Sequence, residues 1–351
     1  MSYNRRLPVY LLLDCSESMA GEAFTAMSGG LASMIGELRQ NPLALETAAI
    51  SVITFASKVQ QMMPLTDLIT FRPPVLRMGS GTALGAVLDL LEQCMTREIV
   101  PSKPDQKGDY KPIVFIMTDG DPTDSWEAQA DRFRTNISGK KANVIAIAVG
   151  PDADTRKLQR ITDTVLVMRG TEPESFKVFF KWISASVSTS SQKLEIPGEK
   201  GIDLPPLPAE SIEVARPNEV HEPYEPDRLV FLHSRCVKSR LFYLIRYAKR
   251  YESRGIGFLT TGKPFYEALA AHLVDNFDFE SGTGDAPKIS ADQLQGAVPC
   301  PSCGNTYWAM CPNGHVHCCP PIQNNIVLIC PWCNVTAQYA AGSFDVGRGR
   351  G

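Results

Sequence analysis

The feature that most constrains this fold is the alternation of short apolar segments with helical patterns over residues 7–190. The apolar segments are rich in Val, Ile and Leu without polar alternation, which is typical of parallel strands buried on both faces. Five such strands are predicted, at Leu7–Asp14, Ala48–Phe55, Ile113–Thr118, Asn143–Val149 and Thr164–Met168. A sixth, over 58–63, follows the second after a short turn and should pair with it antiparallel at a sheet edge.

Helical patterns lie between these strands, over 23–39, 83–96, 125–134 and 175–187. Strands that alternate with crossover helices predict an α/β fold with a Rossmann-like, doubly wound and mostly parallel sheet. We therefore expect residues 1–190 to form one domain.

The composition changes after residue 190. Prolines recur over 191–227, including Pro205, Pro206 and Pro208, and predict a semi-rigid, extended linker. Beyond it, strands over 228–236 and 241–247 and a helix over 266–276 indicate a small β-rich domain at 228–295. A cysteine-rich module follows at 296–340, and the Gly/Arg-rich end, 341–351, is expected to be a disordered tail.

Charge and hydropathy exclude some classes of protein. The 35 Lys and Arg residues nearly balance the 38 Asp and Glu residues. The sequence therefore shows no excess of positive charge of the kind that binds nucleic acid or an anionic membrane. The first apolar run is too short for a signal segment, and no run approaches the roughly 18 residues of a spanning helix. We expect a cytoplasmic protein.

Oxygen-bearing side chains cluster at three predicted strand-to-helix turns. Asp14, Ser16 and Ser18 end the first strand, Thr82 lies in the loop Gly79–Gly85, and Asp119 follows the strand Ile113–Thr118. The carboxyl ends of neighbouring parallel strands share one edge of a sheet, so these groups should converge. Hydroxyls and carboxylates without thiol or imidazole favour a hard divalent ion, and Mg²⁺ is the expected one.

These residues resemble the metal-ion-dependent adhesion site of von Willebrand factor A domains, and the resemblance covers about residues 7–190. It implies that Ser16, Ser18 and Thr82 bind the metal, that Asp14 and Asp119 bind it directly or through water, and that a partner's Asp or Glu completes the sphere. Mn²⁺ or Ca²⁺ could take the place of Mg²⁺. The expected activity is binding of proteins, without catalysis.

Alternatives remain open at this site. Asp14, Ser16, Ser18 and Thr82 could each serve only as helix caps, and Asp124 with Glu127 forms a predicted capping box. A Mg²⁺ site at strand ends also resembles phosphohydrolases of the haloacid-dehalogenase type. Those enzymes need a second aspartate two positions after the first, where this chain has Ser16.

Seven of the 10 cysteines lie in the segment from Cys300 to Cys333. The pairs Cys300/Cys303 and Cys330/Cys333 are C-x-x-C turns that predict one Cys₄ zinc ribbon with a structural Zn²⁺. Between them lie further donors that could hold a second Zn²⁺, namely Cys311, His315, His317 and Cys318. Cys318 and the adjacent Cys319 could instead be core residues, and Cys311 and Cys318 could interleave with an outer pair.

The combination of A domain, Pro-rich linker and cysteine-rich end resembles the tellurium-resistance TerY family, with the segment 241–247 and the ribbon similar to its carboxyl-terminal domain. The resemblance implies a protein kinase and a metal-dependent serine/threonine phosphatase as candidate partners, in a phosphorylation system linked to tellurite or other stress. A zinc ribbon can also bind nucleic acid. The basic residues that would do so are Lys238, Arg240, Lys249, Arg250, Arg348 and Arg350.

Overall fold

The computed structural model describes residues 5–119, 121–150, 153–193, 204–209, 211–215, 228–251, 263–279, 287–321 and 326–349. The chain forms two compact units, one of Met1–Arg77 with Thr82–His221 and the other of Met78–Gly81 with Glu222–Gly351.

The first unit is built on a seven-stranded sheet in the order β3-β2-β1-β4-β5-β6-β7. The strands are β1 Leu7–Asp14, β2 Ala48–Phe55, β3 Val59–Asp67, β4 Ile113–Thr118, β5 Asn143–Val149, β6 Thr164–Met168 and β7 Ile212–Val214. The five inner strands are parallel, and the two edge strands β3 and β7 run antiparallel to their neighbours. The predicted mostly parallel α/β sheet is confirmed.

Helices cover both faces of this sheet. They are α1 Glu22–Leu38, α2 Pro42–Thr47, α3 Leu84–Glu98, α4 Glu127–Asn136, α5 Thr155–Gln159 and α6 Pro173–Lys193. Because side chains alternate along a strand, Leu11 packs in one apolar core with residues of α1 and α6, while Leu12 packs in the other with residues of α3 and α4. The unalternated apolar sequence of β1 is thus explained by burial on both faces.

Part of the predicted linker belongs to the first unit. Ile212–Val214 pairs with β6, Ile212 is buried, and the indole Nε1 of Trp182 donates to the Pro205 carbonyl at 3.1 Å. Leu204 and Leu207 also pack against the core, so apolar residues between the prolines hold this stretch on the domain. The extended-spacer prediction is corrected for 204–209 and 211–215, and the rest of 194–227 lies outside the described residues.

The second unit contains a six-stranded sheet in the order β12-β10-β9-β8-β14-β13 and the two-stranded sheets β11-β17 and β15-β16. Its strands are β8 Leu229–Arg235, β9 Phe242–Tyr251, β10 Pro264–Leu273, β11 Lys288–Ser290, β12 Leu294–Gln295, β13 Tyr307–Met310, β14 Val316–Cys319, β15 Ile326–Ile329, β16 Thr336–Tyr339 and β17 Asp345–Gly347. The sequence prediction of a β-rich second part is confirmed.

Two local predictions for this unit are wrong. The segment 266–276 was expected to be helical, yet most of it lies in β10, which pairs antiparallel with β9 because cross-strand burial of Tyr266 outweighs the helix propensity of its alanines. The expected tail 341–351 contains β17, which pairs with β11 and buries Val346. Residues 350 and 351 lie outside the described part.

Among the described residues, no helix combines the length and apolar character needed to cross a bilayer.

Candidate metal centres

The first centre is built where β1 ends. Asp14 is fully buried, and its Oδ1 accepts a hydrogen bond from the Ser16 backbone N–H at 2.9 Å. The chain then turns through a short 3₁₀ segment, Glu17–Met19, which brings the hydroxyl oxygens of Ser16 and Ser18 to 2.8 Å from each other. Three oxygen-bearing side chains therefore face one position at the carboxyl edge of the sheet.

The end of β4 adds a second carboxylate. Ser18 Oγ donates to Asp119 Oδ1 at 2.7 Å, and the Thr118 hydroxyl donates to Asp14 Oδ2. The structure thus brings Asp14, Ser16, Ser18 and Asp119 into one hydrogen-bonded group, in the arrangement that the sequence predicts. Thr118 joins this group through Asp14 and was not singled out from the sequence.

Thr82 lies in the neighbouring loop, just before α3. Its backbone N–H donates to Thr123 Oγ1 at 2.9 Å, and its carbonyl accepts from the Thr123 N–H at 2.8 Å, which ties this loop to the one that follows β4. Thr82 is 1% exposed, and its hydroxyl has no hydrogen-bond partner among the described residues. A buried hydroxyl left unpaired costs roughly 1–3 kcal/mol, so the loop holds an oxygen that a ligand would satisfy.

The electrostatics of the group also favour a cation. The pKa of the Asp14 carboxyl is raised to about 7, first by burial and then by the nearby Asp119, against hydrogen bonds from Ser16 and Thr118 that lower it. A divalent ion between the two carboxylates would offset their desolvation and mutual repulsion. Hydroxyl and carboxylate oxygens are the donors that Mg²⁺ prefers, so the residues present fit such an ion.

The acidic residues after Asp119 have structural contacts. Asp124 accepts from the backbone N–H groups of Gly85 and Ala86 at 3.2 and 3.0 Å, so it caps α3. The predicted capping box with Glu127 is not formed, because the carboxylate of Asp124 faces α3 and the cap position of α4 is Trp126. Asp121 forms an ion pair with Lys157, and Gly120 lies outside the described residues.

A four-thiol cluster lies in the second unit. Sulfur atoms of Cys236, Cys300, Cys303 and Cys318 all lie within 4.8 Å of one another, and Cys303 Sγ is 3.5 Å from Cys318 Sγ. We call this group the Cys₄ cluster. A tetrahedral zinc ion with Zn–S bonds of about 2.3 Å separates its sulfurs by about 3.8 Å, so the group has the size and chemistry of a zinc site.

A second cluster contains Cys311, His315, Cys330 and Cys333, again with all four ligand atoms within 4.8 Å. Cys311 Sγ lies 3.5 Å from His315 Nδ1 and 3.9 Å from Cys333 Sγ. We call it the Cys₃His cluster. The His315 ring stacks on Trp332 with the ring centroids 5.7 Å apart, which orients the imidazole toward the thiols.

The single Cys₄ site predicted from Cys300, Cys303, Cys330 and Cys333 is therefore corrected to two sites, each with one C-x-x-C pair. The second set proposed from the sequence is also divided. Cys318 lies with the pair Cys300/Cys303, and Cys311 and His315 lie with the pair Cys330/Cys333. The ligands of the two clusters therefore interleave along the chain. The reason is that β14 and the turn before it lie between the two pairs in the chain and supply ligands to each.

His317 belongs to neither cluster. It is buried on β14, its Nε2 lies 2.9 Å from the Tyr339 hydroxyl and its Nδ1 lies 2.9 Å from the Cys318 carbonyl oxygen. Burial lowers the pKa of its imidazole, so the ring is neutral and serves as a hydrogen-bonding core residue. Cys319 points to the opposite face of β14 from Cys318 and packs in the apolar cluster of Cys311 and Tyr339.

Cys236 is the ligand that the sequence prediction missed, since it lies 64 positions before Cys300. The backbone hydrogen bonds of its turn identify it. The Cys236 carbonyl accepts from the Arg240 N–H at 2.9 Å and its N–H donates to the Leu241 carbonyl, which is the pattern that Cys330 makes with Asn334 and Val335. Cys236 thus begins the same kind of turn, with Ser239 at the position where Cys333 stands in the other.

Hydrogen bonds in these turns stabilise thiolates. Burial raises the pKa of Cys236, but donors in its own turn, Ser239 foremost, outweigh it and bring the pKa to about 6. Hydrogen bonds to Cys333, that of the Val335 N–H foremost, lower its pKa, likewise to about 6. A thiolate is the form that binds metal, so Cys236 and Cys333 are each ready to bind a cation, whereas burial raises the pKa of Cys330 to about 11.

Two family models match this chain. The model of the von Willebrand factor type A domain matches residues 9–181, and the model of the TerY-C metal binding domain matches residues 227–351. The chain is a von Willebrand factor A domain joined to a TerY-C domain. Proteins built from these domains are metal-binding interaction proteins and are in general not catalytic. Among curated proteins, none matches the sequence.

Several solved structures are similar to this chain. Proximal thread matrix protein 1 from the mussel byssus is 19% identical over 53% of this chain and 49% of its own, with a TM-score of 0.39. BatB from Bacteroides thetaiotaomicron is 17% identical over 51% of this chain and 98% of its own, with a TM-score of 0.35. The pilus adhesin SpaC from Lactobacillus rhamnosus GG is 14% identical over 54% and 31%, with a TM-score of 0.40. This chain thus spans about half the length of the mussel protein.

Proposed function

We propose that this protein is a docking scaffold whose A domain binds a partner protein through Mg²⁺, with Mn²⁺ or Ca²⁺ as possible substitutes. Asp14, Ser16, Ser18, Thr82 and Asp119 hold the ion, directly or through water. The observation that carries the proposal is the buried Thr82 hydroxyl, which has no hydrogen-bond partner in the described part of the chain, beside a group with two carboxylates.

The donor set also indicates what kind of partner the ion would take. Three of the five side chains are neutral hydroxyls, and the Ser18 hydroxyl already donates to Asp119. An ion held by such a set keeps an open coordination position and part of its positive charge. An Asp or Glu side chain of the partner would fill that position and offset that charge.

The second unit, in our proposal, is a structural zinc module with one Zn²⁺ in each cluster. Both clusters provide four protein ligands, and closed four-coordinate sites of this kind are structural. Zinc binding of this type contributes on the order of 10 kcal/mol or more to folding. Four of the strands around the clusters, β13 to β16, are only four residues long and need such a contribution.

The resemblance to TerY proteins supports a finer proposal. The scaffold would work in the cytoplasm, in a phosphorylation system that responds to tellurite or other stress, with a protein kinase and a metal-dependent serine/threonine phosphatase as partners. Nucleic-acid binding has less support, since Arg250 is paired with Glu267 and Arg240 with Asn334. The phosphohydrolase alternative lacks its second aspartate, and Ser16 at that position contacts Ser18.

The test is a pull-down from the cytoplasm of the source cells with the intact protein and an Asp14→Ala/Ser16→Ala variant, each with Mg²⁺ and with chelator. With Mg²⁺ we expect a kinase or phosphatase to be retained by the intact protein and not by the Asp14→Ala/Ser16→Ala variant, and with chelator by neither. A Ser28→Ala variant is the matched control, because Ser28 lies on α1 and its hydroxyl donates to the Phe24 carbonyl. Equal retention by all variants in chelator would exclude the A-domain site as the interface.

A further inference from the structure

The Cys₄ cluster and the Cys₃His cluster each receive a hydrogen bond from an asparagine that is not one of the four ligands. Asn305 Nδ2 lies 3.8 Å from Cys318 Sγ, and Asn313 Nδ2 lies 3.5 Å from Cys333 Sγ. In both cases the asparagine stands two positions after a cysteine ligand, Cys303 or Cys311. The two clusters thus share an outer donor of the same type at the same spacing.

Each of these amides joins two elements that carry ligands. Asn305 closes the turn of Cys300, because its carbonyl accepts from the Cys300 N–H at 2.7 Å, while its side chain reaches Cys318 on β14. Asn313 lies in the turn between Cys311 and His315, and its side chain reaches the separate turn of Cys333. Each amide therefore fixes the position of a sulfur that its own turn does not supply.

The charge of the clusters gives these donors a role. Four thiolates around one Zn²⁺ leave a formal charge of −4 + 2 = −2 in the Cys₄ cluster, and three leave −3 + 2 = −1 in the Cys₃His cluster. N–H groups that point at sulfur disperse this excess. Backbone groups do part of this, as Val237 N does at 3.2 Å from Cys318 Sγ, and the asparagine amides are donors that a side-chain substitution can remove.

We infer that Asn305 and Asn313 are positioning residues for metal retention, one for each zinc site. The inference rests on the proposed zinc occupancy of the two clusters. Outer partners of metal ligands typically change metal affinity by 10–100-fold when they are removed. We expect Asn305→Ala to weaken zinc binding at the Cys₄ cluster about tenfold or more.

The effect at the other cluster should be smaller. Cys318 is fully buried, so water cannot replace the lost amide, whereas Asn313 is exposed and water can take its place beside Cys333. The ratio of zinc release rates, variant over intact protein, should therefore be larger for Asn305→Ala than for Asn313→Ala. Each variant should affect one of two ions.

The experiment uses the full-length chain. Native mass spectrometry first gives the zinc content, and transfer of zinc to a coloured chelator then gives release rates for Asn305→Ala, Asn313→Ala and the control Thr306→Ala, which alters an exposed neighbour. Cobalt substitution provides a second readout that reports only on metal-loaded protein. Loss of a hydrogen bond to sulfur should move the thiolate-to-cobalt absorption band to longer wavelength.

Three results separate the possibilities. Faster release of one ion in each asparagine variant, with a shifted cobalt band and no change in Thr306→Ala, supports the inference. Two tightly held ions and unshifted bands in all variants would overturn the inference and leave the zinc proposal standing. An intact protein that holds no zinc after purification with zinc present would overturn both.

Discussion

Arg240 and Asn334 have positive φ angles of 64° and 60°, and the Arg240 Nη2 donates to Asn334 Oδ1 at 2.7 Å. In the part of the chain that the structure describes, they are the non-glycine residues with this conformation. Arg240 ends the turn of Cys236 in the Cys₄ cluster, and Asn334 ends the turn of Cys330 in the Cys₃His cluster. The turns of the two clusters are thus bonded to each other through their left-handed residues.

This relationship predicts a difference between two substitutions at one position. Asn334→Ala loses the hydrogen bond and places alanine in the left-handed conformation, which costs alanine about 1–2 kcal/mol. Asn334→Gly loses the same bond but adopts that conformation readily. We expect the alanine variant to lower the unfolding midpoint of the zinc-loaded protein more than the glycine variant. Equal midpoints would mean that the backbone conformation of Asn334 contributes nothing.

The contact between α1 and α6 depends on Gly30. A Cβ at this position would lie 2.2 Å from a ring carbon of Phe180, whereas a Cβ at Gly29 or Gly36 would have no atom within 4 Å. Gly30→Ala should destabilise the protein by about 1–3 kcal/mol through overpacking. Gly29→Ala and Gly36→Ala, as matched controls, should stabilise it by up to about 1 kcal/mol. Chemical denaturation measures all three, and a neutral Gly30→Ala would refute the close packing.

The two-cluster arrangement distinguishes two buried cysteines. Cys236 belongs to the Cys₄ cluster and Cys319 belongs to neither, although both are fully buried and Cys319 lies within the cysteine-rich segment. Zinc content by native mass spectrometry should fall from two ions to one in Cys236→Ser and stay at two in Cys319→Ser. Loss of an ion in Cys319→Ser but not in Cys236→Ser would mean that Cys319, and not Cys236, is the fourth ligand.

Zinc removal should open the short strands of the second unit. β13, β14, β15 and β16 are four residues each, and the apolar core around the Cys₃His cluster consists largely of its cysteines with Ala309 and Tyr339. A strong chelator should therefore abolish hydrogen-exchange protection at amides such as Cys311 N and Cys330 N, which are bonded in the ligand turns. Addition of zinc should restore it. Protection that persists with all zinc removed would show that the strands hold without metal.

Much of the A domain follows directly from the sequence. The five inner strands are buried on both faces, so their apolar runs have sharp ends that coincide with Leu7–Asp14 and the others. The group at the sheet edge follows as well, because Asp14 and Asp119 stand immediately at strand ends. The unpaired hydroxyl of Thr82 could not be foreseen, since it depends on how Thr123 holds the neighbouring loop.

The two cysteine clusters are harder to predict from the sequence. Spacing identifies a C-x-x-C pair but does not say which partners complete it, and here β14 divides the set by strand alternation. Cys318 faces one cluster, His317 bonds Tyr339, and Cys319 faces an apolar core. The pairing of β8 with β14 places the end of β8 beside Cys318 and so brings Cys236 to its cluster. Long-range strand pairing of this kind leaves no periodic signal.

The central claim is that the group at the end of β1 binds a divalent ion with the Thr82 hydroxyl as a ligand. It is tested most directly by calorimetric titration of Mg²⁺ into the intact protein, Thr82→Ser and Thr82→Val, with unfolding midpoints recorded in chelator. We predict that Thr82→Ser binds Mg²⁺, that Thr82→Val does not, and that Thr82→Val is at least as stable as the intact protein in chelator, because it removes a buried unpaired hydroxyl. Equal Mg²⁺ binding by Thr82→Val and the intact protein would contradict the account.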